Sequence, residues 1–354
     1  MNHILQRLYN QHLAGVPFDR PDEVVRWFGA VQAQDYLGAL WAIGMRTQNA
    51  TESTVEQDIT ERKIIRTWPM RSTLHFVPPQ DVRWMLKLLT PRVIARSQTR
   101  YRQLELNDAV VTRSRKLLEK ALQGGMQLSR DAMYKVLHAE RISTSESRGL
   151  HILGRLAQDG VICFGPREGK QQTFVLLEEW VPAAKEMDRE SGLAVFAKRY
   201  FTAHGPATLR DFVWWSGLTV TDARAGLELV KASLAEERIN GQSYWLASST
   251  TSPKHTRSTA NLLPSYDEYT VGYKDRSALI DEAHVKLLDP VRSIFTPTIA
   301  INGRIVGTWK RALERKRVVV SPVLFTRLKP AEQRALRQTA DRYGQFIGLP
   351  VVMK

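Results

Sequence analysis

The sequence has a single cysteine, Cys163, among its 354 residues. One thiol can form neither an intramolecular disulfide nor a metal site built from several thiolates, and this content fits a reducing compartment. The chain also lacks the run of roughly 18 apolar residues that a membrane helix needs, and its N-terminus has no apolar stretch of signal-peptide length. From these absences we expect a cytoplasmic protein that makes no membrane contact.

Negative charge is also scarce: 36 Asp and Glu residues stand against 51 Lys and Arg, which gives a formal net charge of +15. Such an excess favours a polyanionic partner, most often nucleic acid. An anionic membrane surface is the weaker competitor, because no basic amphipathic helix stands apart from the globular pattern. With 43% hydrophobic residues, the chain has enough apolar content for a folded core, and this excludes a disordered protein.

The usual motifs of cofactor-dependent and hydrolytic enzymes are missing. The sequence has no P-loop, no Gly-x-Gly-x-x-Gly, no His-Glu-x-x-His and no Gly-x-Ser-x-Gly, and its eight histidines show no metal-ligand spacing. We therefore expect neither a metal ion nor an organic cofactor.

The pattern that is present is a set of helices followed by a β-hairpin, which is the plan of a winged helix. Helices are predicted from Pro21 and over 36–45, and the run 64–77 is typical of strands. The plan recurs twice. In the third copy, the spacing Thr208-x-x-Asp211 predicts a capping box, and Thr221 is expected to cap a helix through Leu234. Asn-Gly at 240–241, and again at 302–303, predicts hairpin turns. A polar linker at 248–253 then precedes further strands and a helix from Pro330 to Phe346. We predict a mainly helical α+β fold of three tandem winged-helix modules and a C-terminal β domain with a terminal helix, at 1–105, 106–185, 186–250 and 255–354.

Basic residues are concentrated in two places. A helix predicted to begin at Pro91 carries Arg92, Arg96 and Arg100 at i, i+4 and i+8, so they form one stripe that either clamps phosphates or faces solvent. From residue 304 onward, basic residues greatly outnumber acidic ones. Because phosphate neutralisation supplies most non-specific DNA affinity, the predicted contacts in this second region are Arg304, Lys310 and Arg311.

Several other polar residues have more than one interpretation. Arg71 and His75 lie on the same face of the first predicted wing, where phosphate contact and structural hydrogen bonding are both open. Asp35 is expected to cap the helix that follows it. Asp267 and Glu268 are adjacent carboxylates that should point apart, and we expect them to pair with Arg276 or Lys274.

The pattern Gln32-Ala33-Gln34 is unusual because two carboxamides are set between apolar segments. On a regular helix, side chains at i and i+2 point about 200° apart, so the pair can share one site only at a helix end or a turn. Taken alone, the pattern favours capping or surface amides over catalysis.

Six segments together resemble the bacterial AlkZ/YcaQ-type winged-helix DNA glycosylases over nearly the whole chain. They are QAQ at 32–34, WPMRSTLH at 68–75, HGPAT at 204–208, DFVWWSGL at 211–218, LLPSYDEY at 262–269 and NGRIVGTWK at 302–310. The resemblance implies tandem winged helices and a β domain around a C-shaped cationic channel. It also implies removal of alkylated purines, unhooking of interstrand crosslinks, and Gln32 and Gln34 as the catalytic pair. The YcaQ-type branch carries Asp at the second position, so Gln34 places this chain nearer AlkZ.

The implied chemistry is consistent with two uncharged amides. A purine alkylated at N7 or N3 is cationic and departs without a strong general acid, while a glutamine can accept a hydrogen bond from water and hold it at the anomeric carbon. We therefore predict a monofunctional DNA glycosylase that acts as a monomer on double-stranded DNA with alkylated or crosslinked purines, associated with the nucleoid. The alternative is a non-catalytic winged-helix transcriptional regulator, which would usually dimerise. An RNA-binding protein fits less well, because the aromatic-rich RNP motifs are missing.

Overall fold

The computed structural model describes residues 3–184, 186–248, 258–288 and 295–354. Apart from Ser248, the predicted linker at 248–253 lies outside the described residues. The chain forms two units, which we call the first unit (Met1–Val55 with Leu193–Lys354) and the second unit (Glu56–Gly192). Their two boundaries fall inside the predicted modules at 1–105 and 186–250, and the division into four domains stays a prediction.

The N-terminal elements are mostly short helices. They are α1 (His3–Asn10), α2 (Pro21–Phe28), β1 (Val31–Gln32), α3 (Tyr36–Gly44) and α4 (Glu52–Thr60). Pro21 at the first helical position begins α2, and Gly29, with φ of 76°, ends it by donating its N–H to the Val25 carbonyl. The helices predicted from Pro21 and over 36–45 are thus present.

The second unit combines a small antiparallel sheet with helices. Its elements are β2 (Ile65–Met70), β3 (Thr73–Val77), α5 (Val82–Gln103), α6 (Asp108–Leu122), β4 (Leu128–Ser129), α7 (Arg130–Ala139), α8 (Arg148–Gln158), β5 (Ile162–Phe164), β6 (Thr173–Leu176) and α9 (Leu177–Trp180). A 3-10 turn at 79–81 precedes α5. The strand order within this unit is β3-β2-β5-β6-β4. Leu118, Leu153 and Ile162 lie in its hydrophobic core and are fully buried.

The helix with the arginine stripe is longer than predicted. It begins at Val82, so Pro91 lies inside α5 and not at its start. Proline cannot donate a backbone hydrogen bond, and it is usually found at a helix start for that reason. Here the buried side chains of Trp84, Met85 and Leu89 pack the preceding turns against the core, and this packing extends the helix toward its N-terminus.

The rest of the first unit contains helices, a hairpin and a five-stranded sheet. Its elements are α10 (Arg189–His204), α11 (Leu209–Ser216), α12 (Val220–Val230), β7 (Leu234–Ile239), β8 (Gln242–Ala247), β9 (Ala260–Leu263), α13 (Glu268–Val271), α14 (Glu282–Val285), β10 (Thr298–Ile301), β11 (Arg304–Glu314), β12 (Arg317–Leu324), α15 (Pro330–Ile347) and β13 (Val351–Met353). A 3-10 turn at 231–233 precedes β7. Strands β7 and β8 form a hairpin, and the five-stranded sheet has the order β13-β12-β11-β10-β9. Helix α15 contacts this sheet, where Thr339 Oγ1 donates to the Ala260 carbonyl.

The N-terminal caps of α11 and α12 are partly as predicted. Thr208 and Asp211 form a capping box at the start of α11, as expected. The prediction that Thr221 caps the next helix is wrong: Thr219 accepts from the Asp222 N–H at 3.0 Å, and α12 ends at Val230. The chain then enters β7 at Leu234, because that stretch pairs with β8 instead of continuing the helix.

The predicted α+β class is confirmed by these elements, and about half of the structure is helical. The number of winged-helix modules stays a prediction. Among the residues that the structure describes, no helix is both long and apolar enough to cross a membrane.

Candidate functional site

The two glutamines lie in the extended connection between α2 and α3. Gln32 is the last residue of β1 and is buried, with 8% of its surface exposed, whereas Gln34 lies in the bend before α3 and is exposed. The pair therefore occurs directly before a helix N-terminus. At such a helix end, two amides at i and i+2 can share a site, which a regular helix does not allow.

The start of α3 is held by the residue that follows the pair. Asp35 caps the helix, as predicted, and its Oδ1 accepts a hydrogen bond of 3.1 Å from the Gly38 N–H. A Cβ atom at position 38 would lie 2.6 Å from Asp35 Oδ2 and 3.3 Å from the Pro264 Cβ. Gly38 therefore permits the close approach of Pro264 to the segment that follows the two glutamines.

The backbone of Gln32 is bound by a buried carboxylate. The Gln32 N–H donates to Glu268 Oε1 at 2.9 Å, and Oε2 of the same group accepts from Trp215 Nε1 at 2.8 Å. His204 Nε2 lies 3.1 Å from that second oxygen. The expected pairing of Glu268 with Arg276 or Lys274 is thus wrong, because Glu268 points into the interior of the first unit.

Asp267 also has a different partner from the one expected. Arg46 donates two hydrogen bonds of 2.8 Å to its two carboxylate oxygens, and both side chains are buried. A bidentate pair of this kind satisfies a buried carboxylate that would otherwise be costly to desolvate. Arg276 instead donates to the Thr270 carbonyl, and Lys274 lies over the ring of Trp214.

The three predicted DNA contacts of the first unit lie on β11. Arg304 is exposed and pairs with Asp281 at 2.9 Å, and Lys310 is exposed. Arg311 is half-buried and donates to the Tyr343 hydroxyl at 2.6 Å. Contact of these residues with phosphate stays a prediction.

The arginine stripe of the second unit is exposed along α5. Arg92, Arg96 and Arg100 all have exposed side chains, and Arg100 donates to Gln103 and to Ser147. The positions are compatible with phosphate contact, which stays a prediction.

His75 and Arg71 contact each other in the β2–β3 hairpin. His75 is fully buried, and its Nδ1 donates to the Thr73 carbonyl at 3.0 Å, so its Nε2 accepts from Arg71 at 3.1 Å. The sequence left phosphate contact and structural hydrogen bonding open for His75. In this structure its ring makes structural hydrogen bonds. A phosphate contact through this ring is incompatible with its burial, whereas Arg71 is half-buried and its phosphate contact stays a prediction.

Sequence reasoning did not single out His204 or Arg46 as functional residues, and Trp215 is a fully buried core residue. A signal was nevertheless present, because His204, Trp215 and Glu268 each belong to one of the segments that carry the family resemblance. Among the residues that the structure describes, no group of three or more His, Cys, Asp and Glu side chains is placed to hold a metal ion.

Comparisons with known proteins agree with this description. The family model for "DNA glycosylase AlkZ-like" matches residues 25–346, a range that includes both glutamines. An "Interstrand DNA cross-link repair glycosylase" of Streptomyces sahachiroi is 26% identical, and the match covers 92% of this chain and 91% of that protein. The solved structure of the Streptomyces sahachiroi DNA glycosylase AlkZ shares the fold, with a TM-score of 0.80 at 24% identity over 99% of this chain and 98% of that one. Since the family model spans nearly the whole chain, the protein belongs to the AlkZ-like DNA glycosylase family.

Proposed function

We propose that this glycosylase hydrolyses the N-glycosidic bond of purines made cationic by N7 or N3 alkylation, with Gln32 and Gln34 holding the attacking water. The observation that carries the proposal is the placement of the pair: a backbone bound at Gln32, followed by an exposed Gln34 directly before the capped start of α3. In this placement Gln34 is exposed and Gln32 is 8% exposed, on a segment fixed by the backbone hydrogen bond of Gln32 and by the Asp35 cap.

The proposed reaction does not require either glutamine side chain to ionise. Alkylation supplies the positive charge that makes the purine a good leaving group, so no strong general acid is required. A glutamine does not titrate, but its carbonyl oxygen accepts a hydrogen bond from water and its dipole stabilises positive charge that develops on the sugar. Positioning of the water and stabilisation of an oxocarbenium-like state are therefore the two contributions of the pair.

Interstrand crosslinks are proposed as a further substrate. The Streptomyces relative carries crosslink repair in its name, and the present chain aligns with it over most of both lengths. A purine that is crosslinked through N7 or N3 has the same activated glycosidic bond as a monoadduct. The same water attack would therefore release it from one strand.

We propose that the protein binds double-stranded DNA as a monomer through three winged-helix modules and the basic C-terminal region. Helices α11 and α12 with the β7–β8 hairpin have the order of a winged helix, and so do α6 to α8 with β5 and β6. The net charge of +15 supports a polyanionic partner. The alternative of a non-catalytic regulator is not favoured, because the chain belongs to a glycosylase family.

The test is base release from duplexes that contain 7-methylguanine or a purine crosslink, measured under single-turnover conditions. We expect Gln32→Ala and Gln34→Ala each to slow release by about 100-fold, the loss typical when a water-positioning group is removed. Gln338→Ala is the matched control, because Gln338 is an exposed amide on α15 of the same unit. Wild-type rates for both variants of the pair would contradict the proposal.

A further inference from the structure

Hydrogen bonds from three distant parts of the first unit converge on the Glu268 carboxylate. Oε1 accepts from the Gln32 backbone at 2.9 Å, and Oε2 accepts from Trp215 at 2.8 Å and lies 3.1 Å from His204 Nε2. Glu268 is 1% exposed, and His204 and Trp215 are fully buried. A carboxylate can accept all of these hydrogen bonds at once, because both of its oxygens are acceptors.

The two side-chain donors are held by close packing. The His204 ring stacks on Tyr200, with ring centroids 4.7 Å apart and planes at 16°, and the His204 carbonyl accepts from the Tyr273 hydroxyl at 2.9 Å. A Cβ atom at Gly272 would lie 2.5 Å from the His204 Cδ2, so Gly272 also packs closely against the imidazole. Trp215 packs against Phe196, with ring centroids 5.0 Å apart. The His204 imidazole and the Trp215 indole are therefore held in place beside the Glu268 carboxylate.

The residue before Glu268 holds the start of α13. Asp267 binds Arg46 through both carboxylate oxygens, and its Oδ1 also accepts from the Tyr269 N–H at 2.9 Å. Arg46 is itself fixed by hydrogen bonds to the carbonyls of Gln11 and Ala42. Asp267 therefore sets the direction in which Glu268 leaves the helix.

We propose that Glu268 is a positioning residue for the water-binding pair: with His204 and Trp215 behind it, it holds the backbone of Gln32 and so sets where the Gln32 amide of that pair points. This inference rests on the proposed function of Gln32 and Gln34. It follows from the geometry, because Glu268 Oε1 binds the N–H of the peptide that joins Val31 to Gln32, and a shift of this peptide moves the Gln32 side chain. Misplacement by about 1 Å is enough to cost roughly 100-fold in rate.

The substitution Glu268→Gln separates positioning from general stability. An amide has one acceptor oxygen, so either the Gln32 N–H or the His204 and Trp215 donors must face an NH2 group. We expect base release from 7-methylguanine DNA to slow about 10- to 100-fold under single-turnover conditions, with the Kd for DNA within about twofold of wild type.

Trp215→Phe is the second variant, and it tests the positioning role of Glu268 if Glu268→Gln does not fold. It removes one donor to Glu268 Oε2 and keeps an aromatic ring in the core. Trp309→Phe is its matched control, because Trp309 is also buried and donates a 2.8 Å hydrogen bond through its indole N–H, but to the Leu263 carbonyl. We expect Trp215→Phe to slow base release and Trp309→Phe to leave it unchanged.

A double-mutant cycle distinguishes failure of this inference from failure of the proposed function. If Glu268 acts through Gln32, adding Glu268→Gln or Trp215→Phe to Gln32→Ala causes no further loss of rate. Independent, multiplying losses would overturn the inference, as would a wild-type rate for Glu268→Gln while Gln32→Ala is slow. Wild-type rates for Gln32→Ala and Gln34→Ala would instead overturn the proposed function, and the inference with it.

Discussion

Asp267 and Glu268 are adjacent carboxylates that serve separate sets of partners in the first unit. Asp267 binds the guanidinium of Arg46, whereas Glu268 binds a backbone amide, an imidazole and an indole. Each carboxylate is buried, and burying a charge without partners is strongly unfavourable. The alternation of side-chain direction at neighbouring positions allows both to be satisfied, one on each side of the α13 start.

The single cysteine provides a test at the residue scale. Cys163 is fully buried in β5, and burial raises the pKa of its thiol well above the usual range. Because the thiolate is the reactive form, we expect native protein to react with a thiol reagent such as DTNB at least about 100-fold more slowly than unfolded protein. The measurement is absorbance with and without guanidinium chloride. Rapid modification of the native protein at neutral pH would contradict this burial.

Two hairpins of the first unit have the same dipeptide, Asn-Gly, in their turns. Asn240 and Gly241 join β7 to β8, and Asn302 and Gly303 join β10 to β11, with φ values of 50° and 78° in the first turn and 50° and 80° in the second. Positive φ at both central positions is what a two-residue hairpin turn of this kind requires, which is why Asn-Gly predicts it from sequence. The surroundings of the two glycines, however, differ.

Alanine substitution of the two glycines is expected to separate backbone strain from packing. A Cβ at Gly241 meets nothing within 4 Å, whereas one at Gly303 would lie 2.3 Å from Ile4 Cγ2 and 2.7 Å from the Tyr269 hydroxyl. We expect Gly241→Ala to lower the free energy of unfolding by about 1 kcal/mol, and Gly303→Ala by about 2–4 kcal/mol. Urea unfolding measures both values. Equal losses would show that Gly303 is not closely packed.

At the scale of the whole molecule, the excess positive charge favours binding to DNA independently of sequence. Some arginines form ion pairs within the second unit, as Arg113 does with Glu140 and Arg115 with Glu119. Arg92 and Arg96, by contrast, lie exposed along α5 of the same unit. The arginine stripe and the paired arginines of α6 therefore form a natural comparison.

The salt dependence of DNA binding tests whether the stripe contacts phosphates. Each contact contributes about 0.9 to the slope of log K against log salt concentration, so Arg92→Ala combined with Arg96→Ala is expected to lower the slope by about 2. Arg113→Ala combined with Arg115→Ala is the control and should leave the slope nearly unchanged. Fluorescence anisotropy with an undamaged duplex gives both slopes. An unchanged slope in the stripe variant would assign these arginines to solvent.

Features of the fold that depend on neighbouring residues were predictable from the sequence alone. Short-range hydrogen bonding and backbone preference specify these features, and each is present. They are the Asp35 cap, the Thr208–Asp211 capping box, the Asn-Gly turns and the helix from Pro330. The start of α5 was misplaced, because core packing carries that helix past the point where proline would begin it.

Only the tertiary structure determines which residues hold the glutamine pair in place. Arg46 and Asp267 are separated by 221 positions, and Gln32 and Glu268 by 236. No local periodicity specifies which distant donor meets a buried carboxylate, so the nearby cations Lys274 and Arg276 were the expected partners. Charge, caps and turns are properties of short segments, whereas the partners of Glu268 follow from how those segments pack.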